Sequence, residues 1–209
     1  MLDKPKPPSN EPHEKIVEIA KKHFALHGYQ GANLKDIAAE AKVAGSLINY
    51  HFDGKEGLFE ACMEPFARRR MEAILRILGS ANTRDEIKVR IQLFTEEMMA
   101  SYVADPYSFE IVDREVRAAN PIIMKIWEQT MLKAFKAVVA FFQEAEKNGL
   151  LREGVDPFIA SALLFTSCCD SVRKEGLAKR FFNLSFHDAA WRARFSQHIV
   201  NLFTEGALK

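Results

Sequence analysis

The stretch NLKDIAAEAKVAGSLINYHFDGKEGL, residues 33–58, contains two short helix-like segments separated by a tight break. Asn33 can cap the first segment, whose apolar residues recur every three or four positions as far as Ala41. The second segment, about Gly45 to His51, is too short to be stable without neighbours. Two helices joined by such a turn are typical of a helix-turn-helix, whose second helix enters the DNA major groove. A purely structural helical hairpin in an all-α protein fits this spacing equally well.

Outside this stretch the chain shows helical periodicity and no strand-like alternation, which predicts an all-α fold of about nine helices. Proline-rich residues 1–12 predict a flexible arm, with order beginning near Glu11 and a first helix that stops at Gly28. Periodic apolar residues predict six further helices, separated by Gly, Pro and Asn breaks and by a looser stretch at 176–187. These helices are expected at 55–78, 83–104, 107–118, 121–147, 157–175 and 188–205.

Charge and hydrophobicity limit the partners that the protein can have. The net charge of +1 over 209 residues gives no bulk attraction to nucleic acid, so any basic surface must be local. Residues 1–55 hold eight Lys and seven acidic residues, so the salt dependence of any DNA binding is expected to be shallow. There is no apolar run long enough to span a membrane and no signal-peptide core, which predicts a cytoplasmic protein with no membrane partner.

The residues that enzymes need are scattered. The six histidines do not cluster, and no glycine-rich nucleotide loop is present. The three cysteines, Cys62, Cys168 and Cys169, have no metal-ligand spacing and are interpreted as reduced core residues. The sequence therefore predicts a protein that is not an enzyme and that uses no cofactor and no metal.

The short segment at 45–51 separates its side chains into two faces. Ile48 and Phe52 are expected to face the core, while Asn49 can contact an adenine edge and Leu47 a thymine methyl. The other candidates are expected to contact phosphates or to turn the chain. The candidate DNA-binding residues are Lys35, Gly45, Ser46, Leu47, Asn49, Tyr50, His51 and Lys55.

Residues 16–63 carry a pattern that resembles the DNA-binding domain of the tetracycline-repressor (TetR/AcrR) family. The pattern is Ile-x-x-x-Ala-x-x-x-Phe-x-x-x-Gly-Tyr, followed by Ile-Ala, Tyr-His-Phe and Lys-Glu-x-Leu. The resemblance covers less than a quarter of the chain, but many positions match in register. They are Ile16, Ala20, Phe24, Gly28, Tyr29, Ile37, Ala38, Val43, Tyr50, His51, Phe52, Lys55, Glu56 and Leu58.

Four positions depart from the family pattern. Lys42 stands where the turn usually has Gly, and a left-handed backbone there would carry strain. Ala44 replaces the usual Ser-type helix cap. Leu47 and Asn49 replace a Thr and a Tyr that commonly contact DNA, so base recognition is expected to rest on Ser46, Leu47 and Asn49.

The resemblance implies three regions: the arm at 1–12, a DNA-binding domain at 13–54, and a ligand-binding and dimerisation domain at 55–209. It also implies a homodimer formed by the last two helices. Their candidate interface residues are Phe158, Ala162, Cys169, Trp191, Phe195, Ile199 and Leu202. These helices could instead close a monomeric bundle.

The resemblance further implies a small-molecule pocket between the middle helices. Met and aromatic side chains there would suit an apolar or aromatic effector, although each of them could equally be ordinary core. The candidate pocket residues are Phe66, Met98, Met99, Tyr102, Phe109, Trp127, Met131 and Phe165.

The function implied by the resemblance is that of a ligand-responsive transcriptional regulator, most simply a repressor. Its partners would be a pseudo-palindromic double-stranded DNA operator, a small-molecule effector and a second copy of the chain. The alternative is an all-α small-molecule-binding or interaction protein of the same fold that has lost specific DNA binding.

Overall fold

The computed structural model describes residues 11–208 of the chain. These residues form eleven α-helices, which confirms the all-α class. The helices are α1 (Glu11–Gly31), α2 (Leu34–Ala41), α3 (Gly45–Phe52), α4 (Gly54–Ile77), α5 (Arg84–Ala104), α6 (Pro106–Arg117), α7 (Pro121–Gln129), α8 (Met131–Lys147), α9 (Pro157–Arg173), α10 (Glu175–Phe182) and α11 (Ala189–Ala207).

The two helices beyond the expected nine have clear origins. The segment 121–147 is divided at Thr130, where φ is −124° and ψ is −73°, so α7 and α8 are separate helices. The stretch 176–187, expected to be loose, contains most of α10. Helix α1 begins at Glu11 and so includes the last two residues of the expected arm, whose residues 1–10 lie outside the described residues.

The helices pack around two apolar cores. The first joins α1, α2 and α3 to the N-terminal half of α4 and to α6 and α7, and includes Phe24, Ile48 and Phe59. The second lies among the C-terminal half of α4 and α5, α8, α9 and α11, and includes Phe94 and Phe142. Helix α4 contributes to both cores and so connects the N-terminal three helices to the rest of the molecule.

Local sequence explains the ends of the first helices. Gly28 breaks α1 with φ of 70° and ψ of 171°, a backbone conformation that glycine adopts without steric cost. The Asn33 side chain accepts a hydrogen bond from the Lys35 backbone N–H at 2.9 Å and so caps α2, as the sequence predicted. None of the described helices is long and apolar enough to cross a membrane.

Gly57 sits where α4 crosses the end of α3. A Cβ atom at this position would lie 1.8 Å from the backbone carbonyl oxygen of Phe52, so only glycine allows the observed approach. The first turn of α4 therefore packs closely against the last residue of α3.

We expect Gly57→Ala to destabilise the protein because the Phe52 carbonyl group must move. The expected loss in the free energy of unfolding is about 2 kcal/mol or more, measured by urea denaturation at one fixed protein concentration. The control is Gly206→Ala in α11, where a Cβ meets no atom within 4 Å. The control should be neutral or slightly stabilising, and equal stability of the two variants would contradict the role of Gly57.

Candidate nucleic-acid interface and ligand cavity

Helix α3 has one buried and one exposed face. Ile48 and Phe52 are buried in the first core, as the spacing predicted. Ser46, Asn49 and Tyr50 are exposed, and Tyr50 retains 82% of its accessible surface. The structure therefore brings three of the candidate DNA-binding residues onto one accessible surface.

The turn before α3 contains the strain expected from its sequence. Lys42 is left-handed, with φ of 58° and ψ of 43°, which costs a non-glycine residue about 1 kcal/mol. The backbone N–H of Lys42 donates to the Ala39 carbonyl and that of Val43 to the Ala38 carbonyl, a Schellman ending. Ala44 is the N-cap residue of α3 and makes no side-chain capping hydrogen bond. The exposed Gly45 begins the helix directly after it.

The side chains of the two candidate lysines differ in their contacts with the rest of the protein. Lys35 is exposed in the first turn of α2. The Lys55 ammonium group donates to the Gln30 carbonyl oxygen at 3.0 Å and lies 5.1 Å from the centre of the Tyr29 ring. Lys55 is therefore held against the end of α1, whereas Lys35 is free to reach a phosphate group.

Two further candidates are partly buried. The His51 ring lies edge-on to the His13 ring of α1, with 6.2 Å between the ring centres. Leu47 packs partly against the first core and does not face fully outward as expected, because α3 is only two turns long and lies close to its neighbours. Only part of the Leu47 side chain is accessible.

A cavity of about 640 Å³ lies among α4, α6, α7, α8 and α9. This volume is within the usual range for small-molecule sites. The wall is mainly apolar, with one end of α5 contributing Tyr102. Six of the eight candidate pocket residues line it, namely Phe66, Tyr102, Phe109, Trp127, Met131 and Phe165.

The other two candidates do not line the cavity. Met98 and Met99 are fully buried in the second core, because the middle of α5 packs against α9 and α11. Sequence periodicity identified them as apolar but could not show which neighbouring helix they would face.

Charged side chains lie at one side of the cavity, where α6 meets α9. Asp113 pairs with Arg173 at 2.6 Å and with Arg117 at 2.5 Å. Deeper in the wall is Arg70, a buried cation that the sequence analysis missed. The sequence spacing could have indicated that Arg70 faces the interior. It lies four residues after Phe66 and four before Ile74, and both of these residues are buried.

The cysteines are poorly suited to redox chemistry. Burial raises the pKa of the Cys62 and Cys168 thiols to about 12. Burial also raises the pKa of Cys169, which lines the cavity. Since the thiolate is the reactive form, these groups behave as small apolar side chains.

Helix α6 connects the cavity to the first three helices. One face of α6 carries Phe109 and Asp113 into the cavity wall, and the opposite face packs against α1. On that opposite face, Glu115 accepts a hydrogen bond from the Tyr29 backbone N–H at 2.8 Å and another from the Asn120 side-chain amide at 2.7 Å. An ion pair of 2.6 Å between the side chains of Lys21 and Asp105 lies at the start of the same helix.

Exposed apolar side chains lie along α9, and others occur on α10 and α11. The candidate interface residues Phe158 and Leu202 belong to this group, with 58% and 69% of their surfaces accessible. Ala162 is half-buried. Sequence periodicity did not identify the other exposed apolar residues of these helices, which are Ile159, Leu163, Leu177, Phe181 and Phe182.

The remaining four candidate interface residues are buried or half-buried. Cys169 faces the cavity, whereas Trp191, Phe195 and Ile199 pack on the second core. The reason is that α11 packs extensively against α5, which occupies this face of α11.

Helices α2 and α3 with their tight turn, packed on an all-α body with a ligand-sized cavity, define a helix-turn-helix protein of the regulator type. Residues 16–62 match the model of the family described as bacterial regulatory proteins, tetR family. The HTH-type transcriptional regulatory protein RaaS of Mycobacterium tuberculosis is 44% identical over 145 residues, which span 69% of this chain and 62% of RaaS. The chain also covers less than two thirds of a second curated relative, from Bacillus subtilis, namely 65% of its length.

Solved structures share the whole fold. The ketosteroid transcriptional regulator KstR2 of Mycobacterium tuberculosis matches with a TM-score of 0.75 and 18% identity, covering 96% of each chain. FadR of Bacillus subtilis, in complex with stearoyl-CoA, matches with a TM-score of 0.70 and 17% identity, covering 93% of this chain and 98% of FadR. The chain belongs to the TetR family of transcriptional regulators, as its sequence pattern predicted.

The Glu115 contact leads to a prediction. Replacing Glu115 with Ala removes the acceptor of the Tyr29 N–H, so hydrogen exchange of this amide should become about 10- to 100-fold faster. The exchange is measured by mass spectrometry on peptides that contain residues 26–31. The control is Glu110→Ala, an exposed residue of the same helix. Unchanged protection of Tyr29 in the Glu115 variant would show that this contact does not hold α1 to α6.

Proposed function

We propose that the chain is a ligand-responsive, DNA-binding transcriptional regulator, acting as a repressor that leaves its pseudo-palindromic operator when a small apolar or aromatic effector binds. The observation that carries the proposal is the position of α6, which lines the cavity on one face and contacts the helix-turn-helix unit on the other. A protein that binds chromosomal DNA would act in the cytoplasm. The alternative, a ligand-binding protein of this fold without specific DNA binding, remains the second outcome of the DNA test below.

In this proposal the exposed face of α3 reads bases. Ser46, Leu47 and Asn49 contact base edges, with Asn49 forming a bidentate contact to adenine. The backbone around Gly45 approaches the DNA closely, and the remaining candidates, Lys35, Tyr50, His51 and Lys55, contact phosphates and set the orientation of the helix. Support comes from the exposure of Ser46, Asn49 and Tyr50 on one surface.

The proposed assembly is a homodimer that places two α3 helices on the half-sites of a two-fold symmetric operator. Support comes from the exposed apolar residues Ile159 and Leu163 of α9 and Leu202 of α11, since single-chain proteins seldom leave such side chains grouped on the surface.

The proposed switch needs two states with unequal affinity for the effector. An effector that fills the cavity would press on the face of α6 that carries Phe109 and Asp113. The Glu115 and Asp105 contacts would then transmit a shift of α6 to α1, and so change the separation of the two α3 helices. FadR, which was solved with stearoyl-CoA, is an example of this fold in complex with a ligand that carries a long apolar acyl chain.

The first experiment selects binding sites for the purified full chain from a random pool of duplex DNA and measures the stoichiometry of the winning complex. We expect a two-fold symmetric motif bound by one or more dimers. Absence of any enriched motif would contradict specific DNA binding by the ligand-free protein and favour the alternative.

The Asn49→Ala variant tests base reading on the selected motif. We expect relaxed discrimination at one base pair in each half-site and a loss of about 1–3 kcal/mol per contact. The control is Lys35→Ala, which should weaken binding to all sequences alike and reduce its salt dependence. An unchanged sequence preference in Asn49→Ala would rule out the proposed contact.

The Leu163→Glu variant tests the dimer surface. A carboxylate in the centre of an apolar contact should weaken self-association by about 30-fold or more, measured by sedimentation equilibrium. The matched control is Leu26→Glu, which changes an exposed leucine of α1, outside the proposed interface, with 67% of its surface accessible against 55% for Leu163. A dimer that tolerates Leu163→Glu as well as Leu26→Glu does not use this face of α9.

A further inference from the structure

Arg70 is a buried charge in the wall of the cavity. It lies in the middle of α4 with only 6% of its surface accessible. Moving a charged group out of water is costly unless a partner of opposite charge or several hydrogen bonds compensate for it. The contacts of this guanidinium group therefore indicate what else it is built to bind.

The protein provides incomplete compensation. Among the side chains of residues 12–208, no carboxylate oxygen lies within 4.0 Å of an Arg70 nitrogen. The hydrogen bond that Arg70 makes goes to the sulfur atom of Met98, at 2.8 Å, and sulfur is a weak acceptor. The guanidinium carbon lies 4.2 Å from the centre of the Phe109 ring and 5.5 Å from that of Phe66, which supplies a cation–π attraction but no negative charge.

The other N–H groups of Arg70 are not completely enclosed by the protein. In the described part of the chain, no Arg70 nitrogen is among the fully enclosed side-chain polar atoms that lack a hydrogen bond. Because Arg70 lines the cavity, its unbonded N–H groups are accessible from that space.

The acidic groups of the cavity are already engaged. Asp113 is neutralised by Arg117 and Arg173, and Glu110 pairs with Arg114 at 3.5 Å. Burial lowers the pKa of Arg70, but an arginine remains protonated at neutral pH. The deep part of the cavity thus holds one positive charge that no carboxylate of the described side chains contacts within 4.0 Å. The Glu97 carboxylate attracts it only from a longer distance.

We propose that the cavity binds an apolar acid whose single carboxylate pairs with the Arg70 guanidinium. A planar carboxylate matches the fork of N–H donors in arginine, and one negative charge balances one cation. The apolar body of the acid would lie against Phe109, Trp127 and Phe165. This assignment names the chemical class of the effector and therefore rests on the proposed ligand-responsive function.

The test compares acids with uncharged molecules of the same shape. The probes are dodecanoate with dodecan-1-ol, and 2-naphthoate with 2-naphthalenemethanol, all below the concentrations at which they self-associate. Trp127 lines the cavity, so its fluorescence reports binding in a full-length Trp191→Phe background without DNA. We expect at least one acid to bind about 10-fold or more tightly than its alcohol.

Variants then locate the charge that is responsible. Arg70→Met should remove the preference for the acid, lowering its affinity about 10- to 100-fold while the alcohol binds as before. Arg70→Lys should retain part of the preference. The matched control is Arg69→Met, the adjacent and exposed arginine of the same helix, which should bind like the parent protein.

Several outcomes would overturn the inference. They are equal affinity of the parent protein for acid and alcohol, no binding of any probe, an acid preference that persists in Arg70→Met, and loss of the preference in Arg117→Met instead. The parent comparison needs no variant, so poor folding of Arg70→Met does not weaken the test. An acid that binds through Arg70 without changing operator affinity would support this inference and contradict the ligand-responsive function.

Discussion

The buried carboxylate of Glu115 connects the first three helices to the rest of the molecule. It accepts the Tyr29 backbone N–H directly after the Gly28 break and also the side-chain amide of Asn120 at the start of α7. Removing either donor would leave a buried charge less well compensated, so the positions of α1, α6 and α7 are set together. This constraint gives α6 its importance, because the same helix forms part of the cavity wall.

Much of the fold could be predicted from local pattern. The Asn33 cap, the Gly28 break and the apolar stripes of the long helices each depend on residues close together in the chain, and the structure agrees with them. The break at Thr130 was missed because the apolar periodicity continues across it, while the Thr130 hydroxyl donates to the Ile126 carbonyl oxygen as the helix is interrupted. Helix α10 was missed because its apolar side chains are exposed and form no buried stripe.

The DNA-binding face was easier to predict than the cavity wall, because it depends on residues that are close together in the chain. The exposed face of α3 could be predicted because the two buried residues, four positions apart, lie in the same short helix and so define its buried face. The cavity wall depends on which helices face each other, and sequence periodicity does not give this information. Six of the candidates line the cavity, whereas Met98 and Met99 lie in the second core. Arg70 follows two other arginines, Arg68 and Arg69, and such a run usually indicates a solvent-facing surface.

The N-terminal half of helix α4 completes the first core, so this core is expected to fold cooperatively with the rest of the molecule. Leu58, Phe59 and Met63 are fully buried against α1, α2 and α3, and beyond them the helix enters the second core without a break. A fragment ending at residue 53 would therefore expose much of its interior to water and lack the apolar burial that small domains need. The helix-turn-helix unit is a structural subdivision of one folding unit, and its stability depends on the residues that surround the cavity.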